Sequence, residues 1–232
     1  MSAVCILEAT ADLLSVVPGA KILQQEIGEG KVIRVAIVAD MHLNTTYSEG
    51  CGYPLCRERG EYKMDGPIKL VEAMLEDLEE QYEGTQLDAI LLTGDFVLHD
   101  LAEKDATKPH LWESHIRPNL NKAYSLVREK FPNTLLIPCI GNNDIPYHYQ
   151  TISLELKPLI YGDMYNLWFR DHPVNSKVAS LAEIKNNFTM GGYYRIDIGE
   201  HLAVLNLNSL YMSCRNKADL QNANLQVEWL RA

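Results

Sequence analysis

The sequence predicts an α/β fold built on a parallel sheet, and three observations point to it. Apolar runs at 31–39, 87–93 and 135–140 have strand length and are rich in Val, Ile and Leu, as strands covered on both faces are. Two longer stretches of helical periodicity separate them, giving the order strand, helix, strand, helix, strand. Each apolar run then stops at a polar string: Asp40-Met41-His42, Gly94-Asp95, and Gly141-Asn142-Asn143-Asp144. In open parallel sheets the binding groups gather at the carboxyl ends of the strands, and all three strings lie there.

The elements follow in order. Residues 1–20 carry Val4, Cys5, Ile6, Leu7, Leu13, Leu14, Val16 and Val17, broken by Glu8 and Asp12 and with no basic start. That is a poor signal peptide, and residues 1–30 are expected to form a helix or strand lead-in to a catalytic domain over 31–232. The first strand holds Val32, Ile33, Val35, Ala36, Ile37 and Val38. A long loop over 44–67, with Gly50, Gly52, Pro54, Gly60 and Gly66, is of the length that is either functional or disordered. Pro67 opens an amphipathic helix bearing Ile68, Val71, Leu75, Leu78 and Tyr82 on one face. Leu120, Ala123, Tyr124, Val127 and Phe131 mark a second helix ahead of Pro132. Residues 154–188 read as helices and irregular segments. Residues 192–198 and 202–208 read as a strand pair around Gly199-Glu200-His201, and 221–231 as a helix with Leu225 and Trp229 on one face.

Bulk properties narrow the function classes. The chain has 232 residues, 47% hydrophobic and 22% charged, enough for one globular core. A net charge of −10 without any Lys/Arg run argues against duplex nucleic acid as a partner. No stretch is long and apolar enough for a transmembrane segment. Five cysteines are present; Cys51 and Cys56 lie close enough to pair, or stand as reduced loop thiols. Asn44-Thr45-Thr46 and Asn187-Phe188-Thr189 fit the glycosylation pattern, with Asn44 beside the strand-end strings. His110, His115 and His172 are expected at the surface, Trp168, Tyr193, Tyr194 and Trp229 in the core, and Glu76 to Glu80 on a solvated helix face.

The strings carry the chemistry of a two-metal phosphate-ester hydrolase. Asp40 and His42 stand two apart, so on an extended strand exit both reach one ion. Asp95 has two carboxylate oxygens and can bridge two cations, Gly94 lets the backbone turn before it, and Asn142 offers a neutral carbonyl oxygen to the second ion. Mixed N/O ligands suit Zn²⁺ first, with Mn or Fe as alternatives. Two such ions bind phosphate oxygens and generate a hydroxide that attacks phosphorus in line. A general acid must then protonate the leaving group; His99 and His148, shortly after two of the strings, are the candidates. Asn206 and Asn208 either order the site's surroundings or serve as plain hydrogen bonders.

These strings resemble the first three blocks of the calcineurin-like metallophosphoesterases. Beyond them the chain resembles the acid sphingomyelinase-like phosphodiesterase branch, through Thr93-Gly94-Asp95-Phe96-Val97-Leu98-His99-Asp100, Tyr165-Asn166-Leu167-Trp168, Gly191-Gly192-Tyr193-Tyr194, Leu205-Asn206-Leu207-Asn208-Ser209-Leu210-Tyr211 and Glu228-Trp229-Leu230. The resemblance implies a four-layer α/β/β/α sandwich. It places Asp40 and His42 on one metal, Asp95 as the bridge and Asn142 on the second. The substrate it implies is a phosphate ester with a lipid head group or nucleotide, in a secreted or lysosomal/vacuolar setting. Two departures stand out. Asn143 occupies the position where most of the superfamily has a His that assists the leaving group, and Asn has no titratable proton. Endopolyphosphatases resemble this chain there, with Gly-Asn-Asn-Asp followed by a His where His148 stands, so polyphosphate is an alternative substrate. The family's downstream metal-binding histidines are also missing after His201. The catalytic domain is therefore expected to be C-terminally incomplete, or the protein to be an inactive scaffold of this fold.

Overall fold

The computed structural model describes residues 5–7, 16–17, 20–26, 32–47, 60, 64–82, 86–99, 111–200, 202–213 and 219–232, the first three spans as backbone path alone. The expectations for His110, His201 and the Cys51–Cys56 pair lie outside the described residues.

Three parallel strands form the heart of the larger sheet: β4 (Val32–Val38), β5 (Ala89–Leu92) and β6 (Leu135–Pro138). Every residue of β5 is buried, which is why its sequence shows no polar alternation. The N-terminal segment supplies β1 (Cys5–Leu7), β2 (Val16–Val17) and β3 (Ala20–Glu26). β3 runs antiparallel along the whole of β4, so the five-stranded order is β2-β3-β4-β5-β6. Register decides where the chemistry can sit. Val38, Leu92 and Pro138 stand side by side, so three loops leave the sheet at one level.

Between these strands run α1 (Ile68–Gln81), starting after Pro67 and burying Val71, Leu75 and Leu78, and α2 (Arg117–Lys130). α2 continues a π-helical turn at Trp112–Ile116 that buries both end residues. Further on come α3 (Lys157–Tyr165), a second π-helical turn at Asn166–Arg170, and α4 (Leu181–Gly191). Trp168, Phe169, Phe188 and Tyr194 pack edge-to-face beneath them, Phe169 on Tyr194 at 5.1 Å.

A smaller antiparallel sheet has the order β1-β8-β7. β7 (Tyr194–Ile198) alternates buried Tyr194, Ile196 and Ile198 with exposed Arg195 and Asp197, and pairs with β8 (Leu202–Asn206) as the expected hairpin. The end of β6 ties the two sheets together. Pro138 O accepts from Tyr194 OH at 2.8 Å and from Asn206 Nδ2 at 2.8 Å. Two sheets with helices packed around them match the α/β expectation.

The last helix, α5 (Leu220–Arg231), is capped by Asp219 and buries Ala223 and Gln226. Leu225 is 44% exposed, so the buried face is one position away from the one that the Leu225–Trp229 spacing suggests. The reason is polar: Gln226 Oε1 accepts from Asn208 N at 2.8 Å, which fixes the rotation of the helix. Trp229 rests on Tyr193, ring centres 4.9 Å apart.

His172 corrects another expectation. It is fully buried rather than at the surface. Its Nδ1 accepts from the backbone N–H of Val174 and Asn175 at 3.2 and 3.0 Å, closing the turn after the second π-helical segment. Burial, reinforced by the Arg128 charge, pushes its pKa down to about 4 from 6.5. The unfolded chain therefore takes up a proton here that the folded chain resists. The contribution of His172 to stability is complete above about pH 6.5 and is lost as the pH drops toward 4. The urea midpoint of the wild type relative to that of His172→Gln should fall across that window.

Candidate metal centre at the strand ends

Backbone pairing carries the strand register into the loops. Thr93 N donates to Val38 O, Asp40 N to Gly94 O, His42 N to Asp95 O, and Leu43 N to Phe96 O at 2.8 Å. The β4 and β5 loops thus run alongside each other. The β6 loop joins through glycine contacts: a Cβ on Gly141 would stand 2.1 Å from Asp95 N and 2.4 Å from Asp95 Oδ1. Only glycine permits that approach.

Asp40, His42 and Asp95 all adopt positive φ, at 52°, 39° and 52°. The chain at Asp40 and His42 is left-handed rather than extended, which corrects the reason expected for their convergence. They do converge: His42 Nε2 lies 3.8 Å from Asp40 Oδ1, and one ligand atom from each of Asp40, His42 and Asp95 lies within 4.8 Å of the others. His42 Nδ1 is 3.2 Å from Val97 O, so the ring can donate there and keep the Nε2 lone pair facing Asp40. Two carboxylates and an imidazole nitrogen gathered this closely fit a divalent cation. Asp40 is half-exposed and Asp95 buried, so the cluster opens to solvent on one side.

Asn142 and Asn143 are both buried, Asn143 against Asp95. Asp95 Oδ1 accepts from Asn143 N at 2.9 Å and Asn143 Nδ2 at 3.2 Å. Asn142 Nδ2 is 3.0 Å from Nε2 of half-buried His148. His99 lies on the other side, its ring stacked on His42 with centres 3.9 Å apart.

Two carboxylates that sequence reasoning gave no role complete the site. Asp65 holds His99 at two points, Oδ1 to Nδ1 at 2.6 Å and Oδ2 from the backbone N at 3.0 Å. It is delivered by Gly66, whose N–H and carbonyl pair with His42 O and Asn44 N. Its place in the long loop immediately before Gly66-Pro67 was the available signal. Asp144 is the second. Its carboxylate accepts from the N–H of Asp95, Phe96, Val97 and Gly141 at 2.8–3.2 Å, stapling the β5 loop to the β6 loop. Complete burial and the nearby Asp95 charge push its pKa up to about 7, against the pull of those N–H groups. Asn206 and Asn208 are structural: Asn206 serves Pro138 O, and Asn208 donates to Tyr161 OH and Gly191 O. Among the described residues no helix is long and apolar enough to cross a membrane.

A family model described as calcineurin-like phosphoesterase matches residues 33–232. Sphingomyelin phosphodiesterase B of Dictyostelium discoideum is 26% identical over 231 aligned positions, covering 85% of this chain and 32% of that protein. Acid sphingomyelinase-like phosphodiesterase 3b of Homo sapiens is 25% identical, covering 83% of this chain and 42% of that protein. The endopolyphosphatase of Schizosaccharomyces pombe is 29% identical over 161 positions, covering 68% of this chain and 25% of that protein. The chain therefore spans between a quarter and a half of the length of these relatives.

Proposed function

The chain belongs to the calcineurin-like phosphoesterase family, and on that footing we propose that residues 31–232 form the catalytic unit of a phosphodiesterase with a binuclear metal site. The observation that carries this reading is the convergence of Asp40, His42 and Asp95 on one point. Asp40 and His42 would hold one cation, Asp95 would be shared with a second, and Asn142 would offer its carbonyl oxygen to that second one. When bound, divalent cations neutralise phosphate oxygens and lower the pKa of a water.

The chain's own groups do the remainder. Asn143 keeps Asp95 Oδ1 occupied and so fixes which oxygen faces the cations. His99 is the general acid: Asp65 accepts at Nδ1, leaving Nε2 as the nitrogen that hands a proton to the leaving alkoxide. The substrate is a choline-phosphate type diester, supported by the sphingomyelin phosphodiesterase relatives. A second reading, hydrolysis of polyphosphate, is supported by Asn143 and by the endopolyphosphatase relative.

Metal content after dialysis is the first test, with about two transition-metal ions per chain expected and near zero overturning the reading. Hydrolysis rates on sphingomyelin, a nucleotide diester and polyphosphate then rank the substrates. His99→Ala should slow sphingomyelin cleavage by about 10²–10⁴-fold. It should leave a p-nitrophenyl diester, whose leaving group needs no proton, close to wild type. Equal losses on both would remove His99 from the acid role.

A further inference from the structure

We propose that His148 is a positioning residue that selects which end of the Asn142 amide faces the second cation. The inference rests on the reading that Asn142 is a ligand.

An asparagine amide is nearly symmetric in shape but opposite in chemistry at its two ends, and only the oxygen can ligate a cation. Asn142 is 3% exposed, so its neighbours rather than water choose its orientation. Its Nδ2 stands 3.0 Å from His148 Nε2. An amide nitrogen only donates, so Nε2 must accept and the ring proton sits on Nδ1. Oδ1 is then on the far side of the amide from the imidazole. With the proton on Nε2 instead, the favoured partner would be Oδ1, and the amide would turn its NH₂ toward the cation. The tautomer of His148 therefore sets the ligand.

The backbone holds His148 for this task. It stacks on Tyr149 with ring centres 4.2 Å apart, and Tyr149 has a left-handed φ of 61°. Gln150 N closes the turn onto the carbonyl of buried Tyr147 at 2.9 Å. A residue with two χ angles, stacked and anchored in a tight turn, loses little further freedom in making one directed hydrogen bond.

The experiment has two arms. In metal-free protein labelled with ¹⁵N-histidine, the ring nitrogens of His148 report the tautomer directly. Nδ1–H is expected, and Nε2–H would overturn the proposal. Calorimetric titration with Zn²⁺ or Mn²⁺ then compares wild type, His148→Ala and His148→Gln. The alanine variant should weaken the second binding event by about 10–100-fold, the scale for losing a group that orients a ligand, and spare the first. Glutamine, whose Oε1 can accept from the same amide, should recover most of that loss. Two binding events as tight in His148→Ala as in wild type would overturn the proposal, as would equal weakening in both variants. Failure of the wild type to take up a second cation would instead refute the binuclear reading, while the tautomer still decides the orientation of Asn142.

Discussion

Asp95→Asn removes metal-dependent hydrolysis and leaves the fold standing. On the binuclear reading the carboxylate works with both oxygens: Oδ1 receives two N–H donors from Asn143, and Oδ2 would serve the cations. An amide cannot do both. If its oxygen keeps the Asn143 donors, its NH₂ points at the cations; if it turns round, the NH₂ meets two N–H groups with no acceptor. The bridging charge is lost either way. Turnover should fall on the order of 10³-fold or more, as when charge-stabilising groups are removed from active sites. The melting temperature of the metal-free protein should hold or rise. Asn tolerates a φ of 52° as well as Asp does, and the repulsion between residue 95 and buried Asp144 disappears. Turnover assays, metal content and thermal melts on the same preparation check all three statements. Wild-type turnover in Asp95→Asn would end the binuclear reading.

Asp144→Ala has the opposite signature, with the fold failing before the chemistry can be assayed. Four backbone N–H groups from two loops lose their acceptor at a site that is fully buried. Each such orphan costs about 1–3 kcal/mol. Relief of the buried charge offsets part of the sum, so a net loss on the order of 3–5 kcal/mol is expected, the range for uncoupling a buried charge from its partners. That is a large share of the stability of an ordinary domain. Urea denaturation should show a much lower midpoint, and metal binding should fall with it because the staple is what brings Asp95 beside Gly141. A full-stability Asp144→Ala protein would show that the glycine interlock holds the loops unaided.

Much of this was legible in the sequence because it depends on local pattern. β4, β5, β6, α1 and α2 fall where apolar periodicity and Pro67 put them. The strand-end cluster of Asp40, His42 and Asp95 was legible too, since each follows an apolar run by one to three residues. What could not be read is what depends on long-range partners. Asp144 looks like one more polar loop residue until the N–H groups of residues 95–97 are brought to it. His172 is polar and follows Asp171, so it reads as surface; two backbone donors from its own turn make burial tolerable. Asp65 is separated from His99 by a helix and a strand. The rotation of α5 depends on a glutamine bonding to Asn208, which no hydrophobic pattern encodes. Even the convergence of Asp40 and His42 follows from left-handed backbone, a property the residue types permit without announcing.

That left-handed backbone has an evolutionary consequence. At Asp40 and Asp95 the local shape is one that Asn and Gly adopt at least as readily as Asp. A single base change converts an Asp codon to either of them. A descendant could therefore exchange either carboxylate for an amide by drift without straining the backbone, while a change at Gly141 or Asp144 would be purged for its effect on the fold. Lineages carrying this architecture should accordingly yield well-folded copies without these carboxylates more readily than broken ones, with Asn at 40 and 95 as the mark of charge abandoned and shape retained.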